Sequence, residues 1–304
     1  MSCAVRVRAY AKINLSLRVL GIRPDGYHEL RTIFQSIALH DTLTVRARHG
    51  PFALQCDDPD CPTDHNNLVW RAAEQAWEAS GRHGVLRDVE IRLAKRIPLQ
   101  AGLGGGSSDA AAVLRATASL WRLKEAPLGE IAASLGADVP YFLEGGTVLG
   151  LDRGDVLYPL IDRPAAWVTL VLPAVGVSTA EAYAWWDAAG QNGGGAEPRN
   201  DLQGAVVAHH PEIARIVSAL QKAGAFHAAM SGSGSAVFGL FNRRPAAERA
   251  ARALLRTPRA MFGPGGPRRI SIVRTVNRAA YQRLAGIAAH RINLPFAPRS
   301  QGHS

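Results

Sequence analysis

The sequence predicts a mixed α+β protein with two lobes. The first twenty residues alternate between apolar and polar side chains, which is the two-residue period of a β-strand. A glycine-rich segment, the glycine loop (residues 98–109), separates a second strand-like run from a helix-like run. Farther along, a helical pattern from Pro211 precedes an apolar strand at 236–241. Both halves therefore contain helices and strands, and we expect the boundary between the lobes near residues 150–164.

Composition narrows the class of protein. With 304 residues, of which 47% are hydrophobic, the chain can build a full core. No apolar run approaches the ~20 residues that span a bilayer, and the N-terminus lacks the apolar core of a signal peptide, so we expect a cytoplasmic protein. Cys3, Cys56 and Cys61 are odd in number and lack the partners and spacing of a metal site, which predicts free thiols.

The formal net charge of +10 leaves two classes of partner open. The arginines are scattered and form no five-residue basic block, which argues against nucleic acid. An anionic small substrate explains the charge equally well. Much of the excess lies toward the C-terminus, and the segment 285–304, rich in Pro, Ser, His and Arg, is expected to be a flexible basic tail.

The first strand presents two different faces. Apolar residues at the odd positions from 5 to 19 share one face, and mostly polar residues at the even positions share the other, which predicts a strand with one solvated face. Lys12 and Asn14 then point the same way about 7 Å apart, from two rises of ~3.3 Å. They could contact one small ligand, or they could simply lie on the solvated face.

Several shorter signals follow before the glycine loop. Residues 24–26, Pro-Asp-Gly, favour a turn, and a strand-like run occupies 43–47. Asn66 or Asn67 can cap a helix that runs to about Ser80.

The glycine loop has the features of a phosphate-binding site. An alternating strand at 89–93 precedes it and an alanine-rich helix at 110–116 follows it, with Ser107 or Ser108 expected as the helix cap and Asp109 in the first turn. Glycines let the backbone approach an anion closely, and the unpaired N–H groups of a helix N-terminus attract it.

Two common phosphate motifs do not fit this loop. A Walker loop ends in Gly-Lys-Ser/Thr, and no lysine is present at that position. The dinucleotide fingerprint belongs to a first βαβ unit, whereas these glycines lie a third of the way along the chain. The remaining alternative is a glycine-rich turn without a ligand.

Asp138 is an isolated carboxylate between an apolar helix end and Pro140, which is expected to halt that helix. It is either a catalytic base or an ordinary turn residue.

In the second half, a helix from Pro211 stops near Gly224, and a small flexible turn at 230–235 leads into the next strand. Loops are expected at 190–199 and 263–269.

Four segments occur in order along the chain: Ala-Lys-Ile-Asn at 11–14, Gly-Leu-Gly-Gly-Gly-Ser-Ser at 102–108, Gly-Ala-Asp-Val-Pro at 136–140 and Met-Ser-Gly-Ser-Gly at 230–234. In this order they resemble the GHMP small-molecule kinases. A fifth segment, Arg-Pro-Asp-Gly-Tyr-His-Glu-Leu at 23–30, resembles the branch of that family that phosphorylates 4-diphosphocytidyl-2-C-methyl-D-erythritol.

The resemblance implies a two-lobed GHMP-kinase fold, with an N-terminal lobe like domain 2 of ribosomal protein S5 and a ferredoxin-like C-terminal lobe. We expect the N-terminal domain, with its ATP-phosphate loop, at 1–155, the C-terminal domain at 156–284 and the basic tail at 285–304. The implied activity is ATP-dependent phosphorylation of the C2 hydroxyl of the cytidyl-diphosphate substrate in the non-mevalonate isoprenoid pathway. The implied partner is that small molecule, with no nucleic acid or membrane.

The resemblance also implies roles for particular residues. The family's catalytic pair falls on Lys12 and Asp138. Its nucleotide-binding residues fall on Asn67, Lys95, Pro98, Leu99, Gln100, Ala101, Gly102, Leu103, Gly104, Gly105, Gly106, Ser107 and Ser108. Its substrate-binding residues fall on Asn14, Tyr27, His28 and Tyr183. The pair Gln100-Ala101 replaces glycines of some members, a departure that should leave the phosphate-facing glycines intact.

In the implied chemistry, Asp138 accepts the hydroxyl proton while Lys12 keeps that carboxylate ionised and offsets charge at the reacting centre. Mg²⁺ is expected to enter with ATP, with Ser108 as a possible ligand and no resident metal site. Tyr27 would stack on the cytosine, and His28 would hydrogen-bond to its edge.

Two alternatives remain. A GHMP kinase of the homoserine or mevalonate type would share the glycine loop but is not expected to carry Asp-Gly-Tyr-His at 25–28. A non-enzymatic nucleic-acid-binding protein would use the basic surface, but that function leaves Lys12, Asp138 and the glycine loop unexplained.

Overall fold

A computed structural model of the protein describes residues 4–121, 123, 128–190, 200–263 and 266–285. Within these residues the chain forms two β-sheets, each covered by helices, so the predicted mixed α+β class is confirmed. None of the helices in this part of the chain is long and apolar enough to cross a membrane.

The first sheet contains six strands. They are β1 (Ala4–Ile22), β2 (His28–Pro51), β3 (Ala53–Cys56), β4 (Arg87–Ala94), β5 (Thr147–Asp152) and β6 (Val156–Pro159). Their order is β3-β4-β2-β5-β6, and β1 pairs antiparallel with the long strand β2. Four helices pack on this sheet: α1 (Leu68–Ala79), α2 (Gly105–Trp121), α3 (Leu128–Leu135) and α4 (Tyr141–Glu144).

The second sheet contains four antiparallel strands in the order β10-β7-β9-β8. They are β7 (Trp167–Pro173), β8 (His227–Met230), β9 (Val237–Phe241) and β10 (Pro267–Arg274). The helices α5 (Thr179–Ala188), α6 (Leu202–His209), α7 (Glu212–Lys222) and α8 (Arg244–Leu255), with a short 3₁₀ turn (Arg259–Phe262), pack against it. The last helix, α9 (Arg278–Leu284), returns to the first sheet, where Tyr281 is buried beside Tyr10.

The expected solvated face of β1 is wrong for its central part. Ile13 and Leu15 pack against apolar residues of the second sheet, and Lys12 and Asn14 on the other face are only 4% and 2% exposed. The register shifts between Tyr10 and Lys12 and again between Asn14 and Ser16. The middle of β1 is therefore enclosed on both faces.

Helix ends agree with the sequence in some places and differ in others. The side chain of Asn67 caps α1 by accepting from the Val69 N–H at 2.9 Å, as predicted. The prediction of a serine cap for α2 is wrong, because that helix already begins at Gly105 and Ser108 lies inside it.

Pro140 does not halt a helix. The preceding helix ends at Leu135, and α4 begins directly after Pro140, a position that suits proline because the first turn of a helix needs no N–H from it. Of the expected loop at 263–269, residues from Pro267 onward already belong to β10. Of the expected loop at 190–199 and the expected tail at 285–304, residues 191–199 and 286–304 lie outside the described residues.

A buried ion cluster anchors the segment that leads into the glycine loop. The Lys95 ammonium lies 2.5 Å from Asp41 Oδ2 and 2.8 Å from Asp109 Oδ2, and all three side chains are at most 3% exposed. Burial alone would lower the pKa of Lys95, but the charges of Asp109 and Asp41 outweigh it and hold that pKa above its usual value. Asp41 Oδ1 also accepts from the backbone N–H groups of Arg96 and Ile97.

We predict that Asp41→Asn destabilises the protein by about 3–5 kcal/mol, because the amide would set N–H donors against the buried Lys95 ammonium. Urea unfolding followed by circular dichroism measures this change. The control is Glu248→Gln on α8, whose more exposed carboxylate pairs with Arg244 and should contribute less than ~1 kcal/mol. Equal effects of the two substitutions would show that the cluster contributes no special stability.

Candidate active site

Three segments that are distant in sequence meet at one junction: the middle of β1, the glycine loop and the turn at 230–235. The Lys12 N–H donates to the Leu103 carbonyl at 3.0 Å. The Ser231 hydroxyl donates to the Gly102 carbonyl at 2.9 Å and accepts from the Asn14 N–H at 3.3 Å. The two lobes are thus joined at the glycine loop.

Glycine is required at two positions of this junction. Gly102 has φ +72°, and a Cβ there would lie 2.1 Å from the Ser231 carbonyl oxygen. Gly104 has φ +70°, and its Cβ would lie 2.6 Å from the Phe142 ring. Gln100 also adopts a positive φ, 52°, a conformation that glycine adopts without steric cost.

Gly106 has a different environment. The atom closest to a Cβ at Gly106 would be Leu68 Cδ1 at 3.9 Å, so there is open space over the start of α2. The first N–H groups of a helix have no acceptor within the helix and carry its positive dipole end. The start of α2 therefore offers donors and room for an anion.

Lys12 and Asp138 form an ion pair beside the glycine loop. The Lys12 ammonium lies 3.3 Å from Asp138 Oδ2 and donates to Asn14 Oδ1 at 2.7 Å. The lysine side chain is 5% exposed, whereas that of Asp138 is 33% exposed. Asp138 lies in the turn between α3 and α4. The carboxylate can thus be reached from solvent while its cationic partner is enclosed.

The polar side chain that orients Asn14 was not identified from the sequence. Asn14 Nδ2 donates to the Thr32 hydroxyl at 2.7 Å, and that hydroxyl donates to the Ser16 carbonyl at 2.8 Å. This arrangement turns Asn14 Oδ1 toward Lys12. Thr32 lies in β2, where polar and apolar residues do not alternate regularly. Its contact with Asn14 becomes visible only once β2 is paired with β1.

Asn200 is a second residue that sequence reasoning missed. Its amide donates to the carbonyls of Met230 at 3.0 Å and Gly232 at 2.7 Å, and it is 6% exposed. It therefore fixes the conformation of the turn at 230–235. Its position just before a helix, where its side chain accepts from the Leu202 N–H, was the available signal.

Three nucleotide-side candidates are engaged within the protein. The Lys95 ammonium is held by its two carboxylates below the loop, 3.3 Å from where a Cβ on Gly105 would lie. Asn67 caps α1 and donates to the Pro62 carbonyl at 2.6 Å. The Ser108 side chain is fully buried, at 0% exposure, and its hydroxyl donates to the Tyr10 carbonyl at 2.8 Å, so a metal ion does not reach it from solvent.

The aromatic candidates come from the start of β2, the turn before it and α5. Tyr27 is 58% exposed, and the Arg153 guanidinium lies 5.3 Å from its ring centroid. The His28 ring stacks on Tyr183 with centroids 4.4 Å apart, and its Nε2 lies 2.9 Å from Asp187 Oδ1. Burial raises the pKa of the Tyr183 hydroxyl, and the charge of Asp138 adds to this effect. A tyrosine proton is therefore retained near the Lys12–Asp138 pair.

Comparison with known proteins gives the family. The models described as GHMP kinases N terminal domain and GHMP kinases C terminal match residues 67–146 and 186–260. The mevalonate kinase of Methanococcus jannaschii aligns with a TM-score of 0.63 at 14% identity, covering 91% of this chain and 99% of that chain. The expectation of a two-lobed GHMP-kinase fold is confirmed.

Two proteins with higher sequence identity to this chain are named as kinases of one substrate. A curated relative from Solibacter usitatus, named 4-diphosphocytidyl-2-C-methyl-D-erythritol kinase, is 46% identical over 274 residues, which cover 80% of this chain and 83% of the relative. A crystal structure of 4-(cytidine 5'-diphospho)-2C-methyl-D-erythritol kinase aligns with a TM-score of 0.73 at 35% identity, covering 89% of this chain and 99% of that chain. Because this identity extends over most of its length, the chain belongs to the 4-diphosphocytidyl-2-C-methyl-D-erythritol kinase family of GHMP kinases.

Proposed function

We propose that this protein transfers the γ-phosphate of ATP to the C2 hydroxyl of 4-diphosphocytidyl-2-C-methyl-D-erythritol, in the non-mevalonate route to isoprenoid precursors. The observation that carries the proposal is the Lys12–Asp138 ion pair beside the glycine loop. A kinase needs a base for the attacking hydroxyl, positive charge at the transferring phosphate and a cradle for the donor. Candidates for all three lie at this junction or beside it, which supports the proposal.

Asp138 is proposed as the base. Its carboxylate is partly exposed, so a substrate hydroxyl can reach it, and the Lys12 ammonium lies 3.3 Å from its Oδ2. Lys12 would also offset the negative charge that spreads over the γ-phosphate oxygens during transfer. Asn14 is proposed to hold the ammonium in place, because its amide oxygen is turned toward Lys12 by Thr32.

The glycine loop is proposed to bind the phosphates of ATP. Gly102 and Gly104 let the loop pack closely against the turn at 230–235 and Phe142, and the open space over Gly106 leaves room for an anion at the N-terminus of α2. The buried Lys95 supports this segment from below. We propose the same division of the chain as the sequence suggests, with the phosphate loop in a domain at 1–155 and a second domain at 156–284.

Mg²⁺ is proposed to enter as part of the nucleotide substrate. Among the described residues, no group of three or more His, Cys, Asp or Glu side chains could hold a metal ion. The bound ion would neutralise charge on the β- and γ-phosphates. Ser108 is omitted from this role because its side chain is fully buried.

The cytidyl end of the substrate is proposed to lie near Tyr27 and His28. The exposed ring of Tyr27 offers a face for base stacking, worth ~1–3 kcal/mol on comparable platforms. The side chain of His28, the next residue, is held by contacts with α5. The ring of Tyr183 already stacks on His28, so Tyr183 is proposed to act by supporting that histidine.

Release of ADP by the purified protein tests the function directly. We expect turnover with 4-diphosphocytidyl-2-C-methyl-D-erythritol and kcat/KM at least about 100-fold lower with mevalonate, homoserine or galactose, which lack the cytidyl group. Comparable turnover of mevalonate or homoserine would assign the protein to another GHMP activity. No ATP turnover, together with strongly salt-dependent oligonucleotide binding, would support the nucleic-acid alternative.

Gly106→Ala tests the position of the phosphates. The added methyl group meets no protein atom closer than 3.9 Å, and alanine is favoured over glycine in helices by up to ~1 kcal/mol, so stability should be kept or slightly raised. The methyl group would nevertheless occupy the proposed phosphate space, and we predict that the Kd for an ATP analogue rises about 10- to 100-fold.

Isothermal titration measures this affinity. The control is Gly21→Ala in β1, where a Cβ meets no atom within 4 Å and where no nucleotide is expected. An unchanged Kd in folded Gly106→Ala protein would mean that the phosphates do not lie over the start of α2.

A further inference from the structure

The imidazole of His28 is held by one face of α5. Asp187 Oδ1 lies 2.9 Å from His28 Nε2, the Tyr183 ring stacks on the imidazole at 4.4 Å and 23°, and Trp186 contacts it edge-on at 5.8 Å. Positions 183, 186 and 187 follow the i, i+3, i+4 spacing of one helical face. A histidine at the start of β2 in the first lobe is thus oriented by a helix of the second lobe.

The start of α5 is itself fixed. Ser178 and Glu181 form a reciprocal capping box, in which the serine hydroxyl accepts from the Glu181 N–H and the glutamate accepts from the Ser178 N–H. The His28 side chain is 14% exposed, so its ring has little freedom to turn. The other edge of the ring, which carries Nδ1, therefore has a fixed orientation.

The partner of Nε2 determines which nitrogen of a neutral His28 carries the proton. An ionised carboxylate can only accept hydrogen bonds, so Asp187 favours the form with hydrogen on Nε2. In that form Nδ1 has a lone pair and can only accept. A bare Nε2 would place its lone pair against the carboxylate, which disfavours the other neutral form.

We propose that Asp187 is a positioning and specificity-determining residue that selects cytosine over uracil. Through the hydrogen bond to Nε2, it makes His28 Nδ1 an acceptor for the 4-amino group of cytosine, which is a donor. Uracil carries a carbonyl oxygen at the same position, so a uridyl substrate would set two lone pairs against each other. The inference rests on the proposed function, in which His28 meets the base.

Asp187→Asn separates this role from simple support of the histidine. The amide keeps the shape of the carboxylate, and it can accept from Nε2–H through its oxygen or donate to a bare Nε2 through its nitrogen. Both neutral forms of His28 are then accommodated. We expect kcat/KM selectivity for the cytidyl over the uridyl substrate to fall about 5- to 150-fold, mainly through better use of the uridyl compound, with an unchanged KM for ATP.

The matched control is Glu181→Gln. It makes the same acid-to-amide change on the same helix, at the capping box and away from His28, so it should leave base selectivity unchanged. A loss of selectivity in both variants would show that any weakening of α5 suffices, and it would overturn the specific role of Asp187.

The protonated nitrogen can be identified without substrate. Long-range ¹H–¹⁵N spectra of the full-length protein at about pH 8, where an ordinary imidazole is neutral, distinguish the two forms of a histidine. We expect His28 to carry its proton on Nε2 in the wild type and to populate both forms in Asp187→Asn. A wild-type proton on Nδ1, or unchanged selectivity in Asp187→Asn, would overturn the inference. Failure of the wild type to phosphorylate the cytidyl substrate would overturn the proposed function, and this inference with it, whatever the spectra show.

Discussion

The enclosed ammonium of Lys12 is the constraint on which the site depends. Removing a charge from water costs several kcal/mol unless partners compensate for it. Here Asn14 and Asp138 are those partners, and Asn14 in turn needs Thr32 to keep its amide oxygen directed at the lysine. A chain of polar contacts therefore runs from Thr32 on β2 through Asn14 and Lys12 to Asp138 before α4, and it compensates for burying the Lys12 ammonium beside the glycine loop.

Backbone packing between the lobes completes this arrangement. A close approach joins Gly102 to Ser231, and Asn200 holds the turn that carries Ser231. Since the junction uses atoms from both lobes, neither lobe alone can form the proposed phosphate site in this conformation. The buried Lys95 cluster supports the loop from the opposite side.

The sequence predicted the parts of this site that local pattern determines. Strand alternation, the Asn67 cap and the glycine loop each depend on residues close together in the chain, and the motif order led to the family. The burial of β1 on both faces could not be read locally, because the second sheet, contributed by residues after 166, covers it. The same limit applies to Thr32, Asn200 and Asp187, whose polar partners come from other strands or the other lobe. The prediction of the α2 cap was wrong for a local reason. The helix begins within the glycine-rich segment, so both serines lie inside the helix and cannot cap it.

The central claim is that Asp138 accepts the hydroxyl proton while ATP binds elsewhere in the junction. Its most direct test is steady-state kinetics of Asp138→Asn, with Asp88→Asn as control because Asp88, at φ +64° on β4, occupies a backbone conformation that asparagine tolerates. The account predicts that kcat falls by about 10²–10⁴-fold in Asp138→Asn, with a near-normal Kd for ATP. A near-normal kcat in the folded Asp138→Asn variant would contradict it.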